Sequence, residues 1–191
     1  MASWFWTVPV CSFAILASSC LTGCAARAGL PSYSSVPAFN LTDQSGEPFE
    51  SRAKLDGNVW IADFFFTTCP GPCPRMSSQM HQVETALAKF PNVRLVSFTV
   101  DPAHDTPLVL DAYAKHFGAE AGRWFFLTGS QPTLQHLCRD VFMLGNVDGS
   151  LQHSTRFVLI DRDSKVRGYY ETSEPDAITR IIADAKKLAA S

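Results

Sequence analysis

The run Val59-Trp60-Ile61-Ala62-Asp63-Phe64-Phe65-Phe66 constrains this chain more than any other stretch. Apart from Asp63 it is apolar at odd and even positions alike, so a strand built from it has no face to offer water. Such a strand belongs in the middle of a sheet. The run stops at Thr67-Thr68-Cys69-Pro70-Gly71-Pro72-Cys73-Pro74, and residues 76–89 then read as a helix. Two thiols separated by three residues therefore stand at a strand-to-helix junction. The positive end of a helix dipole favours thiolates there. Thiolates are the nucleophiles of disulfide exchange and also soft ligands for copper or zinc.

The rest of the chain supplies neighbours for that strand. Residues 38–49 suggest a short hairpin turning at Asp43-Gln44-Ser45-Gly46, and residues 93–100 form a second strong strand. Residues 106–117 place Leu110, Tyr113, Ala114 and Phe117 at helical spacing and stop at Gly118. A short strand over 123–127 precedes a helix over 132–141, and two strands, 155–160 and 166–170, flank a polar turn. Residues 175–188 close the chain as a helix with Ile178, Ile181, Ile182 and Leu188 on its apolar side. Strands alternating with helices and ending in a hairpin give an α/β fold with a mixed central sheet flanked by helices. This is the arrangement of a thioredoxin-like fold with an N-terminal hairpin.

The 191 residues allow one such domain, 38–191, and a short appendage. A hydrophobic content of 46% with 18% charged residues excludes disorder. With a net charge of −2 and no basic run, nucleic acid is not an expected partner. Residues 4–21 carry no charge and are followed by Leu21-Thr22-Gly23-Cys24, which looks like a bacterial lipoprotein signal (1–23) whose Cys24 becomes lipidated. No Lys or Arg precedes the apolar segment, so an uncleaved membrane anchor is the competing reading. Either places the domain outside the cytoplasm and tethers it to a membrane. Residues 24–37, rich in Ala, Gly, Ser and Pro, form a flexible tether.

Of six cysteines, Cys11 and Cys20 fall in the apolar segment and Cys24 at its end, leaving Cys69, Cys73 and Cys138 for the domain. Three are too few for a disulfide-built scaffold. Cys138 reads as a buried apolar filler.

Three ordered motifs resemble the Sco/SenC family. Phe65-Phe66-Thr67-Thr68-Cys69-Pro70-Gly71-Pro72-Cys73-Pro74 resembles its Cys-x-x-x-Cys-Pro segment. Val100-Asp101-Pro102-Ala103-His104-Asp105-Thr106-Pro107 resembles its Asp-Pro-x-x-Asp-Thr-Pro stretch, and His153-Ser154-Thr155 its third-ligand segment. The resemblance covers the chain from about Phe39 onward. It implies a copper metallochaperone or thiol-disulfide reductase in cytochrome c oxidase assembly. Its metal ligands are then Cys69, Cys73 and His153. Its partner is the copper-bearing oxidase subunit or another copper chaperone.

The residues permit that chemistry. Copper(I) favours two thiolates and an imidazole at low coordination number. Asp101, at the carboxyl edge of its strand, is placed to hydrogen-bond a ligand from behind, while Pro70, Pro72 and Pro74 stiffen the ligand loop.

Other readings stay open. The pair Cys69 and Cys73 can cycle as a thiol-disulfide oxidoreductase without a metal, or form an inert disulfide. Structural zinc wants four ligands where three are well placed. A peroxidase needs one reactive cysteine with an arginine such as Arg75 beside it. Thioredoxins proper carry two residues between the cysteines and a proline opposite; three residues and His153 here favour metal binding. His81, His116 and His136 read as ordinary histidines, and His104 lies in a polar loop near the site.

Overall fold

The computed structural model describes residues 1–2, 29–145 and 154–190. The predicted central strand is β3, Val59–Phe65, buried along its whole length. It pairs in parallel with β4 (Val93–Thr99) and antiparallel with β6 (Arg156–Ile160). Beyond β4 lie β5 (Trp124–Thr128) and the N-terminal hairpin of β1 (Asn40–Asp43) and β2 (Pro48–Glu50); beyond β6 lies β7 (Val166–Glu171). The seven-stranded mixed sheet runs β2-β1-β5-β4-β3-β6-β7, and the fold is thioredoxin-like as the element order implied.

Alternation along β3 divides the core into two layers. Trp60 and Phe64 meet Phe98 of β4, Phe39 and Phe142 on one face. Phe65 points the other way, to Tyr113 of α3 (Pro107–His116), whose hydroxyl bonds Ser77 of α2 (Pro72–Ala86) at 3.0 Å. The closing helix, α5 (Ala177–Ala189), packs on α2, β3 and β7. Gly118 takes a φ of +70° just beyond α3, the left-handed conformation that ends helices and that glycine adopts without a Cβ clash.

Three boundaries differ from the sequence expectation. The helix after the cysteines starts at Pro72 rather than at Met76, because proline at the first helical position loses no needed donor. A short helix, α1 (Ser51–Leu55), follows β2 with no periodic signal long enough to announce it. The helix expected over 132–141 is α4 (Gln131–His136), which widens into a π-helical turn over Leu137–Val141.

The end of the stretch read as a tether lies along the sheet edge. Tyr33 and Val36 donate backbone hydrogen bonds to Val166 and Ser164, and Ser35 forms a bridge with Lys165. Arg167 donates to the carbonyls of Pro31 and Leu30, both at 2.6 Å. Residues 3–28, which include the proposed signal and Cys24, lie outside the described residues.

A thiol pair between strand and helix

The six residues between β3 and α2 carry Cys69, and the first turn of α2 carries Cys73. Cys73 is fixed by the helix: its side chain is fully buried, and Met76 and Met80, on the following turns, are core residues. Cys69 stands on the loop, 8% exposed, with its amide donating to the Phe66 carbonyl at 3.3 Å. Both are free thiols and they hydrogen-bond to each other.

Their electrostatics correct one sequence expectation. The helix N-terminus was expected to favour thiolates, yet burial pushes the Cys73 thiol well above the usual range. The hydrogen bond with Cys69 adds to the rise, a backbone hydrogen bond with Phe66 opposes it, and the neighbouring Cys69 and Asp63 charges add a little more. A helix end is worth about 0.3–1 kcal/mol to a charge near it. Removing an ion from water costs several kcal/mol, so desolvation wins.

Asp63 of β3 is buried on the same side of the site, and burial pushes its carboxyl up to about 7 against a Ser97 hydroxyl that donates to it at 2.6 Å. Trp124 Nε1 donates in turn to Ser97 at 2.9 Å.

Asp101 follows the end of β4 at the same edge of the sheet as the cysteines. Its amide donates to Thr99 Oγ1 at 2.9 Å, and its carbonyl accepts from the amides of His104 and Asp105. Asp105, which the sequence reading passed over, is fully buried and its carboxyl reaches the cysteine loop. It accepts from the Thr67 amide at 3.2 Å, the Thr67 hydroxyl at 2.5 Å and the Thr99 hydroxyl at 2.5 Å. The alternation Thr67, Thr99, Asp105 around two strand ends was present in the sequence, but only the parallel register of β3 and β4 makes it one cluster.

His153 lies outside the described residues. The chain resumes at Ser154, and Thr155 is firmly held: its carbonyl accepts from the Thr172 amide at 3.0 Å and the Thr172 hydroxyl at 2.6 Å. The Thr172 carbonyl accepts from Arg75 at 3.0 Å and Gln79 at 3.1 Å, both on α2. The entry to β6 is thus tied to the helix that carries Cys73. Arg75, the cation a peroxidase would use, bonds Thr172 instead. His81 and His136 pair with Glu84 and Asp140 on their own helical segments, and His104 and His116 are exposed.

Among the described residues no group of three or more His, Cys, Asp or Glu side chains is arranged to hold a metal. The two sulfurs are a fitting partial donor set for a soft ion, adjacent and in hydrogen-bond contact. Cys138, as expected, is buried, and burial pushes its thiol up to about 12. Iodoacetamide at neutral pH is therefore expected to label Cys69 in the native chain about 100-fold faster than Cys73 or Cys138. Peptide mapping by mass spectrometry checks this, and equal labelling of all three would contradict the burial described.

The family model SCO1/SenC matches residues 28–190. Among solved structures, a SCO1/SenC family lipoprotein from Bacillus anthracis str. Ames is 34% identical, with a TM-score of 0.74 over 82% of this chain and 95% of that one. BsSco, described as a member of the Sco family of cytochrome c oxidase assembly proteins with a disulfide switch, is 32% identical. Its TM-score is 0.72 over 82% of this chain and 94% of its own. Bradyrhizobium japonicum ScoI, solved with copper bound, shares the fold at 24% identity and a TM-score of 0.66, over 80% of this chain and 98% of that one.

Proposed function

The chain belongs to the SCO1/SenC family, and from that premise we propose a membrane-tethered, extracytoplasmic copper-binding protein serving cytochrome c oxidase assembly. It delivers copper to the dinuclear site of an oxidase subunit, or reduces the cysteines of that site. The observation that carries the reading is the thiol pair itself, two free sulfurs in hydrogen-bond contact where β3 gives way to α2. Copper is the cargo. Cys69 and Cys73 supply two sulfur ligands and His153 the imidazole, with Thr155 and Thr172 holding the following strand against α2. The Cys-x-x-x-Cys spacing, the copper held by the Bradyrhizobium relative and the soft donor pair all support this.

The anchor belongs to the same proposal. The Bacillus anthracis neighbour is a lipoprotein, and Leu21-Thr22-Gly23-Cys24 here looks like a lipoprotein signal end. Lipidation at Cys24 would tether the domain without a transmembrane helix.

The reductase reading draws on the same geometry and on the disulfide switch of BsSco. There Cys69 and Cys73 pass two electrons and two protons to a partner disulfide, which becomes two thiols while they become a disulfide.

The test is a competitive copper(I) titration of the reduced full-length chain in detergent, beside His153→Ala. One-to-one binding weakened about tenfold or more in the variant is expected of an imidazole ligand. Binding indifferent to His153 would leave the dithiol as a redox pair.

A further inference from the structure

The two cysteines are held in different ways. Cys73 rides on α2, whose register is set by Met76 and Met80 in the core and by Arg75 and Gln79 on the Thr172 carbonyl. Cys69 has no helix or strand beneath it. It hangs on the segment between Phe65 and Pro72, which must leave a buried strand and enter a helix within six residues. Something has to set where that segment stands, because the distance between the sulfurs decides both metal chelation and disulfide closure.

Asp105 is placed to do this. It is fully buried, it comes from the turn after β4, and its carboxyl reaches back across the end of the sheet. Oδ1 accepts from the Thr67 hydroxyl, while Oδ2 accepts from both the Thr67 amide and the Thr99 hydroxyl. Thr67 is two residues before Cys69, and Thr99 is the last residue of β4. One side chain, held in its own turn by its amide on the Asp101 carbonyl at 2.9 Å, therefore ties the start of the cysteine loop to the turn after β4, with Thr99 as a supporting contact. The backbone repeats the tie, since the Val100 amide donates to the Phe65 carbonyl at 2.8 Å.

We propose that Asp105 is a positioning residue for the thiol pair, acting through Thr67 to set the Cys69 sulfur against Cys73. The proposal deepens the copper reading and rests on it for its affinity arm, but the redox arm needs no metal. Thr67 is the strut's contact with the cysteine loop and Thr99 a brace on its far side, so the two separate positioning from stability. Thr67→Val cuts one tie to the loop. Thr99→Val cuts the tie to β4, together with the acceptor of the Asp101 amide, and leaves both loop bonds in place. Asp105→Asn keeps one oxygen at the Oδ2 position, and the Thr67 hydroxyl can turn to accept from the new amide, so it acts as the conservative rescue of Asp105→Ala.

The experiment measures three quantities on the full chain and its variants: urea unfolding, the Cys69–Cys73 disulfide equilibrium in glutathione buffers without copper, and copper(I) affinity by competition. In the glutathione arm, the two thiols are oxidised as one glutathione disulfide is reduced to two glutathiones. Thr67→Val is expected to weaken copper(I) about tenfold, as outer hydrogen-bond partners of ligands do, and to move the disulfide constant by about threefold or more. Thr99→Val is expected to lower stability while leaving both site constants within about twofold of wild type. Asp105→Asn should lie closer to wild type than Asp105→Ala in the glutathione arm.

Site constants that follow stability equally in Thr67→Val and Thr99→Val would overturn the proposal, as would a disulfide constant unmoved by Thr67→Val and Asp105→Ala. A wild type that binds no copper, with a disulfide constant that still moves in Thr67→Val alone, would sink the copper reading and sustain the strut.

Discussion

Across the window from about pH 4 to about pH 7, Asp63→Asn is expected to gain about 4 kcal/mol of unfolding free energy on the wild type. An aspartate ordinarily titrates at 3.8, and burial pushes Asp63 up to about 7 in the folded chain. The sign follows from which state holds the proton. Below the ordinary value both folded and unfolded chains keep it, and the pair of variants differs by a constant. As pH rises the unfolded chain releases its proton first, so the wild type loses stability until the folded carboxyl ionises as well. Asparagine has no proton to lose, keeps an oxygen for the Ser97 hydroxyl, and escapes the penalty. Urea unfolding of both chains at several pH values measures the difference; a constant difference from pH 4 to pH 7 would show that Asp63 is not held protonated.

Natural sequences tolerate such a cost at functional sites, and the place where it is borne here is one layer below the thiols. The Asp63 charge is among the influences that raise the Cys73 thiol. The carboxyl and the thiol are thus coupled: each discourages the other from ionising. Asp63→Asn therefore also removes one of the influences that keep Cys73 protonated.

How much of this was legible in the sequence depends on the range of the cause. The run over 59–66 announced a central strand because two-sided burial is written locally, in the absence of polar alternation. The hairpins and the Gly118 stop were legible for the same reason, since turn residues and a glycine act on their own backbone. The short α1 and the π-helical turn were not, because one turn of helix carries no periodicity of its own. At the site, the spacing of Cys69 and Cys73 marked a dithiol, but the state of Cys73 depends on what α2, β3 and α3 pile around it. The helix end is a neighbour visible in sequence, whereas the burial of Cys73 is not. Asp105 is the clearest instance. Both carboxyls of the Asp-Pro-x-x-Asp-Thr-Pro stretch were visible, and Asp101 was picked out for its place at the strand end. The β3–β4 register also puts Asp105 on Thr67, and register is a property of two strands together.

Copper(I) affinity is expected to rise by at least about 100-fold from about pH 6 to about pH 8, in a competitive titration with a chelator whose own pH dependence is known. The metal-free chain holds Cys73 as a thiol through that whole range, because its burial raises the pKa well above the usual thiol value. A metal ion binding the sulfur must expel the proton, and each unit of pH makes that tenfold easier. Burial thus favours a neutral Cys73 until an ion replaces its proton, and acidification favours release. The slope reports the protons that the metal displaces from sulfur, Cys73 among them. His153→Ala should therefore shift the line downward and leave its slope at the alkaline end unchanged, whereas Cys73→Ser should lower the slope by about one proton. An affinity flat from about pH 6 to about pH 8 would mean either that Cys73 already stands as a thiolate, against the effect of its burial, or that it does not bind the metal, which would remove the sulfur pair as the copper site.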